Sequence, residues 1–154
     1  MLAAQLGFSF YDLDDLVVQQ EKKSIPEIFY ESGEGYFRQA ETRALEKQLE
    51  TDEAMVLATG GGAPCFNDNM ERINQKAVSV FLDVPMQQII QRLTNSEVAL
   101  RPLFQGLDAG EISAKLTDLY TARVGYYEQA KIKLSGEDIS TELLISELIT
   151  LFKN

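Results

Sequence analysis

Asp12 and Asp14 flank Leu13 at the end of an apolar, aromatic run, residues 8–13 (FSFYDL). Strand alternation would set both carboxylates on one side. There they can hold a magnesium ion through water, or accept the proton of a substrate hydroxyl. A solvated turn that caps the following helix satisfies the same spacing. Gly60-Gly61-Gly62 follows a second apolar run, residues 54–59 (AMVLAT). Consecutive glycines cost backbone entropy, and their amides can meet an anion or a hydroxyl; a tight turn is the plainer alternative. Arg38 sits beside Phe37 with Glu41 one turn on to orient it, Arg92 and Arg123 lie late in helical stretches, and Arg101 precedes Pro102. A guanidinium fork suits carboxylate and phosphate alike, although each of these arginines taken singly also reads as a solvated surface residue.

Absences narrow the chemistry. The chain has no histidine, which excludes a Ser-His-Asp triad, an HExxH zinc site and any histidine base within it. Its one cysteine, Cys65, excludes a CxxC site and an internal disulfide, and suits a reducing compartment, hence the cytoplasm. Cys65 itself reads as a small packing residue. The net charge of −10 argues against a nucleic-acid surface. An anionic small molecule would have to be gathered by a few arginines against that acidic background. No apolar run approaches the roughly 20 residues of a membrane span, and no signal peptide opens the chain.

The elements that must position these residues alternate between helical and strand patterns, which predicts an α/β fold with a doubly wound parallel sheet flanked by helices. Residues 1–6 read as the tail of a helix stopped by Gly7. Residues 14–23 are amphipathic, and Ser24-Ile25-Pro26-Glu27 forms a capping box that opens a short helix ending near Gly33. From Glu34 to about Glu50, residues Phe37, Ala40, Ala44, Leu45 and Leu49 share one helical face. A short helix is expected over 69–75, a strand over 78–84, and a helix from Pro85 to about Leu93. Residues 95–109 lack periodicity and read as a loop; helix 110–127, strand 131–134 and helix 141–152 close the chain. In such folds ligands sit at the carboxyl ends of the strands, where Asp12, Asp14 and the glycine turn fall.

In order and spacing, Phe10-Tyr11-Asp12-Leu13-Asp14, Ser24-Ile25-Pro26-Glu27-Ile28-Phe29, Gly33-Glu34 leading to Phe37-Arg38 and Glu41, Thr59-Gly60-Gly61-Gly62-Ala63, Arg101-Pro102-Leu103 and the helix leading to Arg123 and Tyr127 resemble the shikimate kinases, small P-loop kinases of the nucleoside monophosphate kinase type. The resemblance spans residues 1–154 as one domain and implies an ATP- and Mg2+-dependent transfer of phosphate to the 3-hydroxyl of shikimate. It implies that Asp14 holds the ring hydroxyls and assists the attacking one. Arg38 and Arg123 would clamp the substrate carboxylate, Gly60, Gly61 and Gly62 line the site, and Phe29 and Phe37 wall the ring. Asp12 would help place magnesium through water. Residues 24–50 would form the shikimate-binding helices and residues 95–109 a lid, with Arg101 and Pro102 at the nucleotide and Arg92 against the adenine. A monomer is implied.

The chain departs from the family pattern in one respect: no G-x-x-x-x-G-K-[ST] loop occurs in it. The expectation is therefore that the first, central strand and the Walker A loop of the family are missing from this sequence. Two alternatives follow: a non-catalytic shikimate-binding or regulatory module, or another kinase of the same architecture such as a gluconate kinase.

Overall fold

The structure, a computed structural model, describes residues 2–95, 104 and 106–153. Helix α1 (Leu2–Leu6) ends at Gly7, whose φ of 68° only glycine adopts without strain, and the chain enters strand β1 (Ser9–Asp12). Helix α2 (Leu13–Glu21) begins at once, capped by Asp12. Helix α3 (Ile25–Leu49) opens on the expected capping box, in which Glu27 N donates to Ser24 Oγ and Ser24 N to Glu27 Oε2. Gly33 interrupts it at φ 77°, ψ 174°, a glycine-only conformation that re-aims the second half of the helix. The expected break between a short and a long helix is thus a kink.

Strand β2 (Met55–Ala58), a 3-10 turn (Ala63–Cys65), helix α4 (Asn69–Lys76), strand β3 (Val80–Asp83) and helix α5 (Met86–Asn95) follow. Helix α6 (Ala109–Tyr127) is capped by Asp108, so the carboxyl end of the 95–109 segment is a helix cap. Strand β4 (Ile132–Ser135) and helix α7 (Thr141–Lys153) end the fold.

Burial is concentrated on one side. Leu13, Val17, Ile28, Phe37, Ala40 and Leu45 make the centre of the core, where α2 packs on α3. Each fully buried leucine or isoleucine contributes about 1.5–3 kcal/mol relative to exposure. The periodic face predicted from Phe37 to Leu49 is the face that packs.

The strands are parallel and flanked by helices, as expected. Among the described residues they form two parallel pairs, β1 with β2 and β3 with β4, with no ladder between the pairs. Between β2 and β3 lies a cavity of about 2230 Å³, lined by both strands and by apolar side chains such as Phe8, Ile89 and Phe152. Phe10 and Leu82 remain largely exposed on their strands at 61% and 51%. Unpaired strand edges and uncovered apolar faces meet at this gap.

Candidate active site

At the carboxyl end of β1 the two carboxylates do not lie side by side on a strand. Helix α2 starts at Leu13, so alternation stops at Asp12. Asp12 Oδ1 accepts the backbone N–H of Asp14 at 2.9 Å, and Asp12 serves as the helix cap. Asp14 stands exposed in the first helical turn, close enough for its charge to raise the pKa of Glu41.

Arg38 is the most constrained polar residue of the site. It is 7% exposed. Its Nη1 donates to Glu41 Oε2 at 2.9 Å, and its Nη2 and Nε donate to Glu34 Oε1 at 3.1 and 3.3 Å. The guanidinium lies 4.3 Å from the ring centroid of Phe66 and 5.1 Å from that of Phe37, within cation–π range. Phe37 in turn packs on Phe29 with ring centroids 4.8 Å apart. Glu41 is buried, and burial raises its pKa despite the opposing hydrogen bond from Arg38. Helix spacing makes this cluster possible: Glu34, Arg38 and Glu41 fall on one stripe at i, i+4 and i+7.

The glycine turn leaves β2 against this cluster. Gly60 has a φ of 68°, and a Cβ built on Gly62 would lie 2.5 Å from Arg38 Nη1. From the opposite side comes α6: a Cβ on Gly61 would lie 3.2 Å from Tyr127 Oη and 4.0 Å from Arg123 Nη1. Arg38 and Arg123 therefore reach one three-residue turn from two different helices. Arg123 takes part in none of the ion pairs formed by the described residues.

Behind the turn is a polar network that sequence reasoning missed. Asn69, wholly buried, donates from Nδ2 to the Ala63 carbonyl at 2.9 Å and to Thr42 Oγ1 at 3.1 Å. Thr42 Oγ1 donates to the Arg38 carbonyl, and Asn67 Nδ2 donates to Thr42 Oγ1. The network locks the glycine turn to the helix that carries Arg38. Phe66 was also missed; it sits directly after Cys65 and stacks on Arg38 only in the folded chain. Cys65 is half-buried, and burial raises its thiol pKa, which suits a packing role.

Asp14, Phe29, Phe37, Arg38, the glycine turn and Arg123 all line the large cavity. Arg92 lines it too, exposed on α5 with Nη2 donating to Gln88 Oε1 at 3.4 Å. Arg101 and Pro102 lie outside the described residues. The described residues hold no cluster of three or more potential metal ligands. A single aspartate with one oxygen engaged in a cap still fits magnesium, which is commonly held through water by one or two carboxylates and the substrate phosphates.

Parallel strands feeding helices, with a glycine turn leaving β2, define an α/β protein of the class that binds ligands at the carboxyl ends of its strands. Comparison with known proteins narrows that class. The family model described as "Shikimate kinase" matches residues 1–153. The shikimate kinase of Persephonella marina is 32% identical over 149 residues, covering 97% of this chain and 86% of that protein. That of Parabacteroides distasonis is 35% identical over 141 residues, with 92% and 80% covered. Among solved structures, shikimate kinase from Bacteroides thetaiotaomicron superposes with a TM-score of 0.87 at 32% identity, covering 99% of this chain and 88% of that one. Shikimate kinase from Acinetobacter baumannii, in complex with shikimate, gives 0.84 at 32% identity, covering 98% and 82%. The chain belongs to the shikimate kinase family. It is an ATP-dependent small-molecule kinase, a transferase of aromatic amino acid biosynthesis. No described helix is long and apolar enough to cross a membrane.

Proposed function

We propose that this site transfers the γ-phosphoryl group of ATP to the 3-hydroxyl of shikimate, giving shikimate 3-phosphate and ADP. The observation that carries the reading is the convergence of Arg38 and Arg123 on the Gly60–Gly62 turn. Two guanidinia on one side of a cavity can clamp a carboxylate, and Phe29 and Phe37 offer an apolar wall for the ring. Asp14 holds the ring hydroxyls. The substrate oxygen attacks the γ-phosphorus, the bond to the ADP oxygen breaks, and the hydroxyl proton passes to the Asp14 carboxylate.

Magnesium, held through water by Asp12, would neutralise phosphate charge. Residues 24–50 serve as the shikimate-binding helices. Residues 95–109 serve as the lid, with Arg101 stabilising the transferring phosphoryl group, Pro102 beside it and Arg92 at the adenine. The gap between β2 and β3 is the seat of one further parallel strand. That strand and the phosphate-cradling loop after it would complete the central sheet and the nucleotide side. Two unpaired parallel edges facing an apolar cavity support this, as does the absence of a glycine-lysine loop from the sequence. The protein works as a monomer in the cytoplasm.

The test is a coupled ADP-release assay on the full-length protein with shikimate and ATP, beside calorimetry with shikimate alone. Turnover of shikimate supports the reading. Phosphorylation of gluconate in its place overturns the substrate, and binding without turnover leaves a shikimate-binding module. Arg38→Ala should weaken shikimate binding while sparing ATP; equal loss of both would argue against the clamp.

A further inference from the structure

Tyr127 has no part in the roles above, yet the two sides of the clamp meet on it. It lies four residues after Arg123 on α6, one turn along the same face. Its hydroxyl donates to the Gly61 carbonyl at 2.5 Å across 66 residues of sequence. Its ring packs against Phe81 of β3, with centroids 5.2 Å apart and planes tilted by 40°. Burial raises its pKa, so the phenol keeps its proton and remains a donor at neutral pH.

The placement matters because the two guanidinia stand on different helices. Arg38 stands on α3, which packs with α2. Arg123 stands on α6, which is tied to β3 by the Tyr120 hydroxyl donating to Asp83 Oδ1 at 3.1 Å. Just beyond α6, Asn74 Nδ2 donates to the Gln129 carbonyl at 2.9 Å and ties that end to α4. The Tyr127–Gly61 bond is a direct contact of α6 with the glycine turn itself, one helical turn from Arg123.

We infer that Tyr127 is a positioning residue: by holding α6 to the Gly61 carbonyl it sets Arg123 at the spacing from Arg38 that an anionic substrate group requires. The inference rests on the shikimate-binding reading proposed above. It assigns Tyr127 no contact with the substrate. Its effect runs through Arg123, which a hydroxyl that merely stabilises the fold would not do.

A double-mutant cycle tests this on the full-length protein, with shikimate binding read by calorimetry and ADP binding as the reference. Tyr127→Phe keeps the ring on Phe81 and removes the hydrogen bond. It should weaken shikimate binding by about five- to ten-fold, the scale of one hydrogen bond, and leave ADP binding unchanged. In an Arg123→Ala background the same change should cost nothing further. Gly61→Ala provides a second route, since its Cβ would crowd the Tyr127 hydroxyl at 3.2 Å. It should reproduce the Tyr127→Phe loss and add little to it. Unchanged binding by Tyr127→Phe, or an equal loss with and without Arg123, overturns the positioning role. Wild-type protein that fails to bind shikimate overturns the function proposed above and the positioning role with it, an outcome distinct from the other two.

Discussion

The guanidinium of Arg38 occupies the space that a side chain on Gly62 would need, with Nη1 2.5 Å from the position of its Cβ. Gly62 has φ −89° and ψ −42°, so its backbone imposes no glycine. The requirement comes from the neighbour. Arg38 cannot withdraw freely, being held by Glu41 and Glu34 and stacked on Phe66.

Gly62→Ala should therefore fold normally and bind shikimate about ten-fold or more weakly, since losing one charge-assisted hydrogen bond costs about 1.5–3 kcal/mol. Nucleotide binding should be spared. Calorimetry with each ligand reads both numbers, and unimpaired shikimate binding would show that Arg38 repacks without loss.

Glu34 occupies the Nε and Nη2 edge of Arg38 from an exposed position, its side chain 48% accessible. A substrate carboxylate that takes this edge must displace it. Glu34→Gln should tighten shikimate binding by up to about three-fold at low salt, with the gain shrinking as ionic strength rises. Weaker binding would mean that Glu34 helps to orient Arg38 instead of competing for it.

Asn69 links the Ala63 carbonyl to Thr42 while wholly buried. Asn69→Ala removes both of these buried bonds, leaving Thr42 Oγ1 only the Arg38 carbonyl and Asn67, and should destabilise the protein by about 1–3 kcal/mol. Thr42→Val should cost a similar amount, and the double variant less than the sum. Denaturant melts of the four proteins decide it; simple additivity would dissolve the network.

Glu21 titrates at about 2, below its ordinary 4.5, because the Tyr36 hydroxyl, then Gln20 and then Arg43 hydrogen-bond to it. A carboxyl depressed in the folded state contributes stability that is complete above pH 4.5 and lost as pH falls toward about 2. Tyr36→Phe should make the fall in Tm across that window shallower. Parallel Tm curves for the two proteins would remove Tyr36 as the leading cause.

Local features were legible in the residues alone. The Ser24–Glu27 capping box, the Gly7 stop and the buried face from Phe37 to Leu49 depend on groups within a few positions of one another, so spacing reports them. Strand alternation misplaces the Asp12–Asp14 pair. Alternation holds only while a strand lasts, and the Asp12 carboxylate begins the next helix by taking the Asp14 N–H.

What the sequence by itself determined is the inventory: no histidine, few arginines, a glycine turn after a strand, and the family those motifs match. The tertiary structure alone decided which of them meet. Asn69 reaches Thr42 across 27 residues, and Tyr127 reaches Gly61 across 66. No periodicity reports a contact at such range, because periodicity reports only which face of an element is apolar. The division of the strands into two parallel pairs belongs to the same class of fact. Parallel pairing is set by where helical crossovers return the chain, and that is a property of the packed whole.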